Sequence, residues 1–229
     1  MDKPLVLILH GALGSASQMK TLFGSAPDFT PLFFEFPGHG QNPDLDQPWT
    51  VQLFQDSLEG FCRMQSVPMY VFGYSLGGYI ALSLALSRPE LFKGIVTLGT
   101  KLAWNKSTAE KESSRLNPEI IQVKVPSFAD TLKVRHGENH WIDVLRKTSE
   151  LMHSIGINPT LSISRIKNIK VPVHYCLADQ DSLVSREETI AFHNATSGSV
   201  FTLFENSFHP LEQVDIQLIF SEIRKLIQL

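Results

Sequence analysis

The sequence has few cysteines and no long hydrophobic segment. Its 229 residues include 2 cysteines, Cys62 and Cys176, which are too few for a disulfide framework and lack the paired spacing of a zinc site. The longest apolar runs, such as residues 5–9, are far too short to span a bilayer. The first residues also lack the length and the cleavage site of a signal peptide. We therefore expect a cytoplasmic protein with no membrane partner.

An excess of basic residues is also lacking. The chain has 20 Lys and Arg against 23 Asp and Glu, a formal net charge of -3, which argues against nucleic acid as its main partner. There is no internal repeat or low-complexity segment. A hydrophobic content of 43% is enough for one substantial core but leaves little room for two ordinary domains. The composition predicts a single domain over residues 1–229.

Short β-rich runs alternate with helical patterns through most of the chain. The predicted strands are residues 4–9, 32–36, 69–73, 95–98, 173–177 and 200–204. The predicted helices between and after them are residues 51–64, 75–87, 186–194 and a closing helix over 211–229. Strands separated by helices form βαβ units, so the pattern predicts an α/β fold with a parallel sheet.

Strand patterns fade between residues 101 and 170, where helical patterns replace them. A helix is expected from a capping-box-like start at Ser127 to Gly137, and a second helix from Trp141 to Met152. No Pro, Gly or Ser linker separates this segment, so it is an insertion in the same domain. Its 12 Lys and Arg against 7 Asp and Glu give it a charge of +5. This charge either steers anionic substrates or, as is commoner, solvates the helix surfaces.

The strongest chemical signal is the run Gly-Tyr-Ser-Leu-Gly-Gly at residues 73–78. It matches G-x-S-x-G and lies between a predicted strand and a predicted helix, which is the context that a nucleophile at a sharp turn requires. Such a turn exposes the serine oxygen at the carboxyl edge of the sheet, next to a helix N-terminus that favours negative charge. The motif predicts that Ser75 is a nucleophile, although a tight structural turn would show the same pattern.

A serine hydroxyl becomes a good nucleophile only when a base takes its proton, so a histidine is needed. His209 follows the last predicted strand and therefore lies at the same edge of the sheet as Ser75. His10 ends the first strand, where it is better suited to shaping the loop. A carboxylate that orients the base is expected after the fifth strand, where Asp179 and Asp181 are both candidates. An aspartate there can also serve only to close a turn.

The oxyanion that forms on a substrate needs N–H donors in fixed positions. One donor is expected from Leu76, the residue after the predicted nucleophile. The other should come from the loop after the first strand, His-Gly-Ala-Leu-Gly-Ser at residues 10–15, whose glycines let the backbone approach a substrate. Within that loop, the Ala12 N–H is the first choice and the Leu13 N–H is the second.

Five motifs follow one another as they do in the α/β-hydrolase superfamily. They are residues 10–15, Phe-Pro-Gly-His-Gly at 36–40, residues 73–78, Ala-Asp-Gln-Asp-Ser-Leu-Val at 178–184 and Ser-Phe-His-Pro at 207–210. The sequence most resembles the small cytoplasmic carboxylesterases, thioesterases and the lyase that makes a menaquinone precursor. The resemblance implies an α/β-hydrolase fold with about six mainly parallel strands and a helical cap at about residues 101–170.

The resemblance also implies site residues. The positions that match the family's triad are Ser75, Asp181 and His209, with the acid at Asp181 because the family's Gly-x-x-Asp spacing ends there. Ala178 replaces the glycine of that spacing. The family's usual aspartate before the Pro-Gly-His-Gly turn is replaced by Glu35-Phe36, which leaves the hydrogen bonding of that loop open.

The function implied by the resemblance is that of a serine hydrolase acting on a small carboxylic ester or thioester. Neither a metal nor an organic cofactor is implied, and the expected partner is the small-molecule substrate. The same residues would also serve a lyase or a carbon–carbon bond hydrolase, and a non-catalytic small-molecule receptor can retain the fold. The large apolar residues of the insertion either line an acyl pocket or form the insertion's own core; they include Trp104, Phe128, Leu132 and Trp141.

Overall fold

One sheet of six parallel strands organises the part of the chain that the structure, a computed structural model, describes: residues 3–40 and 46–228. The strands are β1 (Leu5–Leu9), β2 (Thr30–Phe34), β3 (Met69–Tyr74), β4 (Phe92–Leu98), β5 (Val173–Gln180) and β6 (Val200–Phe208). Their order in the sheet is β2-β1-β3-β4-β5-β6, and every neighbouring pair is parallel. The predicted six-stranded, mainly parallel sheet is confirmed.

Ten α-helices accompany the sheet within the same described ranges. They are α1 (Ala16–Phe23), α2 (Val51–Met64), α3 (Leu76–Ala85), α4 (Lys106–Ser113), α5 (Pro118–Lys124), α6 (Pro126–His136), α7 (Trp141–Ile157), α8 (Ile163–Ile166), α9 (Arg186–Ala195) and α10 (Ile216–Ile227). None of the helices in the described ranges combines the length and the apolar character needed to cross a membrane.

The core lies on both faces of the sheet, and β1 shows why, because it is apolar at every position. In β1, Leu7 and Leu9 pack on the face that α2 and α3 cover, and Val6 and Ile8 pack on the opposite face with α1 and α10. All four side chains are fully buried. Burial of each side chain of this size contributes roughly 1.5–3 kcal/mol to the stability of the fold. The sheet therefore gives the loops at its carboxyl edge a rigid support.

Two sequence-based helix starts are wrong. Helix α6 begins at Pro126 and has Val125 as its N-cap, so Ser127 is not the cap. Proline suits the first turn of a helix because it has no backbone N–H that would need a partner there. The closing helix begins at Ile216 because the Asp215 side chain caps it, and residues 211–213 form a separate 3₁₀ turn. The predicted end of that helix, Leu229, lies outside the described residues.

The segment between β4 and β5 contains α4 to α8, as the sequence predicts for residues 101–170, and is here called the insertion. Leu132 and Trp141 are buried in a small cluster within the insertion, whereas Phe128 is exposed. Helix α7 also joins the main core through Val144 and Leu151. The insertion therefore packs directly on the sheet domain.

Candidate active site

Ser75 occupies a strained turn between β3 and α3. Its backbone angles, φ 49° and ψ -114°, lie where a residue with a side chain rarely falls, at a cost of about 1–3 kcal/mol. Two hydrogen bonds hold the turn: the Ser75 N–H donates to the Leu98 carbonyl at 2.9 Å, and the Thr100 hydroxyl donates to the Ser75 carbonyl at 3.1 Å. The surroundings thus force the serine into one conformation at the carboxyl edge of the sheet.

Glycines on both sides of Ser75 allow strand and helix to approach. A Cβ at Gly73 would lie 2.6 Å from the Cα of Gly78, and a Cβ at Gly77 would lie 2.7 Å from the His10 carbonyl oxygen. Both contacts are with backbone, which cannot rotate away. The G-x-S-x-G pattern is therefore required by the packing of the turn itself.

His209 follows β6 directly and is paired with Asp181. The His209 Nδ1 and the Asp181 Oδ2 are 2.7 Å apart, and the carboxylate side chain is only 1% exposed. The other oxygen of Asp181 accepts the backbone N–H groups of Leu183 and Val184 at 2.8 and 2.9 Å. These bonds fix the carboxylate, which in turn fixes the plane of the imidazole ring.

Asp179, the other candidate acid, faces away from this pair. It is exposed, and its Oδ1 accepts the Ser207 N–H at 2.9 Å. That backbone hydrogen bond is the main reason why the pKa of Asp179 lies below its usual value. Asp179 thus links the ends of β5 and β6, whereas Asp181 contacts the histidine.

The carboxyl ends of β3 and β6 bring Ser75 and His209 to the same region. The hydroxyl of Tyr74, the residue before Ser75, donates to the His209 carbonyl at 2.9 Å, and the two rings are 5.5 Å apart. Burial raises the pKa of the Tyr74 phenol, so it stays a donor. Among the described residues, no hydrogen bond joins the Ser75 hydroxyl to the His209 ring. Such catalytic bonds often tighten only when a substrate is bound.

The loop after β1 is held by hydrogen bonds to its carbonyl groups. The His10 Nδ1 lies 2.8 Å from the Gly11 carbonyl oxygen, and the His39 Nε2 lies 3.0 Å from that of Ala12. Because a bond to a carbonyl fixes the plane of its peptide, these contacts also fix the N–H groups of Ala12 and Leu13. The expectation that His10 shapes this loop is confirmed.

Glu35, which stands where the family usually has an aspartate, ties the same loop to the second strand. Its Oε1 accepts the Ala16 N–H at 3.0 Å, at the start of α1, and lies 3.0 Å from the His10 Nε2. The sequence left the hydrogen bonding of this position open. The longer side chain of glutamate reaches both partners.

The insertion contacts this loop through side chains that the sequence did not single out. The Arg135 Nη1 donates to the Leu13 carbonyl at 2.6 Å, and the His136 Nε2 lies 3.1 Å from the same oxygen. The His136 Nδ1 accepts the Gly40 N–H at 3.0 Å, which assigns the ring proton to Nε2. Burial lowers the pKa of His136 to about 4 and keeps the ring neutral.

A small cavity of about 40 Å³ lies between the insertion and the sheet edge. Its walls include Ala12, Ser75 and Leu76 from the sheet domain, and Trp104, Leu151 and Ile155 from the insertion. Of the four large apolar residues considered from the sequence, Trp104 lines this cavity. No three His, Cys, Asp or Glu side chains of the described ranges are grouped as metal ligands.

Comparisons with known proteins agree with this architecture. A family model described as "alpha/beta hydrolase fold" matches residues 4–140, which include Ala12, Ser75 and Leu76. A solved esterase from Thermogutta terrifontis superposes with a TM-score of 0.78 at 16% sequence identity, covering 99% of this chain and 90% of that one. At this identity, the likeness shows a shared fold.

Two curated relatives are similar over part of their length. A Haemophilus influenzae protein, provisionally named 2-succinyl-6-hydroxy-2,4-cyclohexadiene-1-carboxylate synthase, is 32% identical over 117 residues, 47% of this chain and 45% of that protein. The pimeloyl-[acyl-carrier protein] methyl ester esterase of Yersinia pseudotuberculosis is 26% identical over 117 residues, 51% of this chain and 43% of that protein. The chain thus spans less than half the length of these relatives. The family match extends over more than half of the chain, which therefore belongs to the α/β-hydrolase family.

Proposed function

We propose that the protein is a serine hydrolase that cleaves a small carboxylic ester or thioester through an acyl-enzyme. Ser75 is the nucleophile, His209 is the base and Asp181 orients the base. The backbone N–H groups of Ala12 and Leu76 stabilise the oxyanion. The observation that carries the proposal is the 2.7 Å bond between His209 and a buried, doubly hydrogen-bonded Asp181 at the edge of the sheet where Ser75 is held.

The reaction proceeds in two halves. The Ser75 hydroxyl attacks the carbonyl carbon while the His209 Nε2 takes its proton, and the resulting oxyanion accepts hydrogen bonds from the two backbone N–H groups. The imidazolium then gives its proton to the departing alcohol or thiol, which leaves an ester on Ser75. A water molecule, deprotonated by the same ring, attacks that ester, and the proton returns to Ser75 as the acid is released. The negative charge of Asp181 stabilises the imidazolium in both halves.

Three further parts of the proposal concern the whole chain. Residues 1–229 form one α/β-hydrolase domain, and the insertion acts as a cap that contributes one wall of the substrate cavity. The substrate is a small molecule, without nucleic acid or membrane as a partner. The protein acts in the cytoplasm, which fits two free, buried cysteines; burial raises the pKa of Cys62 to about 12 and so suppresses its reactivity.

A lyase reaction on the same residues is the second candidate. It is favoured by the similarity to the Haemophilus influenzae protein, whose name describes a synthase. In that case, Ser75 would remove a proton from the substrate as a base and form no covalent bond with it.

Hydrolysis of a p-nitrophenyl ester series from acetate to octanoate separates the two candidates. The hydrolase should release p-nitrophenol with multiple turnovers, and it should prefer the short chains that suit a small cavity. A lyase should not turn these esters over. An absence of turnover with every ester would contradict the proposed hydrolase.

A further inference from the structure

Thr148 lines the cavity beside Ser75 and carries a buried hydroxyl. The residue lies in α7, is 1% exposed and lines the cavity together with Ser75. Its Oγ1 has no hydrogen-bond partner among the described residues. A buried hydroxyl without a partner costs about 1–3 kcal/mol, and such a cost is expected to persist where the group serves a ligand.

The other polar side chains in the cavity wall are already engaged within the protein. The Tyr79 hydroxyl accepts the backbone N–H groups of Thr160 and Leu161 at 3.0 and 3.3 Å. The indole N–H of Trp104 donates to the Lys101 carbonyl at 3.0 Å. Apart from Ser75 and the O–H proton of Tyr79, the hydroxyl of Thr148 is thus left to meet a substrate.

The cation of the cavity wall is neutralised by neighbouring carboxylates. The Lys101 Nζ lies 3.5 Å from the Glu188 Oε2 and 4.0 Å from the Glu112 Oε1, and it donates to the Leu183 carbonyl at 3.0 Å. Glu112 also pairs with the Arg115 Nη1 at 3.2 Å, so two carboxylates balance two cations and leave no net positive charge for an anionic substrate. The cavity therefore favours an uncharged polar group over a carboxylate.

Thr148 differs from the other buried polar atoms that lack a partner in the described part of the chain. These atoms are the Oε1 of Gln18, the Nε1 of Trp49, the Oγ of Ser83 and the Nε2 of His174. None of them lines the cavity that contains Ser75. The combination of an unpartnered hydroxyl and a place in this wall is found at Thr148.

The cavity suits the acyl part of a substrate better than its alcohol part. The acyl group stays bound to Ser75 between the two half-reactions, whereas the alcohol must leave before water can attack. A volume of about 40 Å³ holds roughly three groups of the size of water, so the acyl chain is short. Its surroundings are mostly apolar and include Leu76, Leu151 and Met152.

From these observations we infer that the physiological substrate carries, on a short and uncharged acyl chain, an oxygen atom that accepts a hydrogen bond from Thr148. This inference rests on the proposed hydrolase function and adds the class of acyl group. Thr148 thus acts as a specificity-determining residue: it discriminates acyl chains that contain a keto, ether or hydroxyl oxygen from plain alkyl chains of the same length.

The test compares esters that differ in one atom of the chain. p-Nitrophenyl pentanoate is paired with p-nitrophenyl ethoxyacetate and with p-nitrophenyl 3-methoxypropanoate, in which an ether oxygen replaces one methylene. The ratio of kcat/KM for each ether ester to that for pentanoate is measured for the wild type and for Thr148→Val, which keeps the shape and removes the hydroxyl. Intrinsic ester reactivity and any general loss in the variant cancel when the two ratios are compared.

We expect Thr148→Val to lower the ratio by about three- to tenfold for at least one ether ester, the range for a single hydrogen bond. Thr148→Ser, which retains the hydroxyl, should keep the wild-type ratio. Ser83→Ala, which removes a buried hydroxyl that does not line the cavity, is the matched control and should also keep it.

The outcomes separate the two proposals. If the wild type hydrolyses all three esters and Thr148→Val leaves both ratios unchanged, the acyl-group inference is wrong and the hydrolase function stands. If the wild type hydrolyses none of the esters, the proposed function itself fails and the inference fails with it.

Discussion

Of Asp179 and Asp181, only Asp181 holds the imidazole of His209, through a 2.7 Å bond between Nδ1 and Oδ2. Asp179, two residues earlier, is bound instead to the Ser207 N–H of the neighbouring strand. The two differ because Asp179 lies within β5, whereas Asp181 follows the strand in a turn that the Asp181 N–H closes on the Ala178 carbonyl at 3.2 Å. This difference gives the two carboxylates different contacts and makes their proposed roles separable by mutation.

Asp181→Asn should lower kcat by on the order of 10⁴-fold. The asparagine oxygen can still accept the N–H groups of Leu183 and Val184, so the loop should keep its shape. Its amide group, however, would donate to the His209 Nδ1 and place the ring proton on Nε2, where the base must be free. Steady-state kinetics on p-nitrophenyl butanoate measures the loss.

Asp179→Asn is the matched control for this substitution. Its side-chain oxygen can still accept the Ser207 N–H, and the residue does not contact the histidine. The variant should lose less than about tenfold in kcat. A larger loss at residue 179 than at residue 181 would reverse the assignment.

The free energy of unfolding should decrease as the pH is lowered, because of His136. Its pKa in the folded state is about 4, against 6.5 for an unperturbed histidine. Above pH 6.5 the ring is neutral in both states and contributes no pH dependence. Between pH 6.5 and 4 the unfolded chain binds a proton that the folded chain does not, so the free energy of unfolding decreases by on the order of 3 kcal/mol.

Urea unfolding at intervals from pH 7 to 4 measures this decrease. His136→Asn can still accept the Gly40 N–H but has no titrating ring, so its stability should depend less steeply on pH. Some dependence should remain, because burial also lowers the pKa of His39 well below its usual value. Identical slopes for the variant and the wild type would show that His136 is not the cause.

The positive charge of the insertion should have little influence on substrate choice. Lys106, Lys111 and Lys124 are exposed, and Lys101, the cation in the cavity wall, is paired with two carboxylates. Raising NaCl from about 0.02 to about 0.5 M should therefore change kcat/KM equally for a neutral and a matched anionic ester. A selective fall for the anionic ester would favour electrostatic steering instead.

The local parts of the fold and of the site were predictable from the sequence. Ser75 is marked by glycines within three residues of it, and α2 was predicted with its observed bounds because its apolar positions follow helical spacing. Asp179 and Asp181 could not be distinguished from the residues alone, since both follow the same strand. The resemblance favoured Asp181, and the structure gives the physical difference between the two.

Contacts between distant segments explain what the sequence could not predict. Arg135 meets the Leu13 carbonyl across 122 positions, and no local pattern encodes such a pairing. The sequence does carry a signal for Thr148, which is a polar residue on the face of α7 that also carries Trp141, Val144 and Leu151. A hydroxyl within an apolar helix stripe is a reason to look for a ligand.

The most direct test of the central claim, that Ser75 is an activated nucleophile, is covalent labelling with a fluorophosphonate followed by intact mass measurement. We expect one adduct per wild-type chain, located on Ser75 by peptide mapping, and none on a folded Ser75→Ala variant. Ester hydrolysis by that variant should fall by several orders of magnitude. His209→Gln should be labelled far more slowly, because the base is missing. An unlabelled wild type, or a Ser75→Ala variant that keeps its adduct and more than about a tenth of the wild-type rate, would contradict the account.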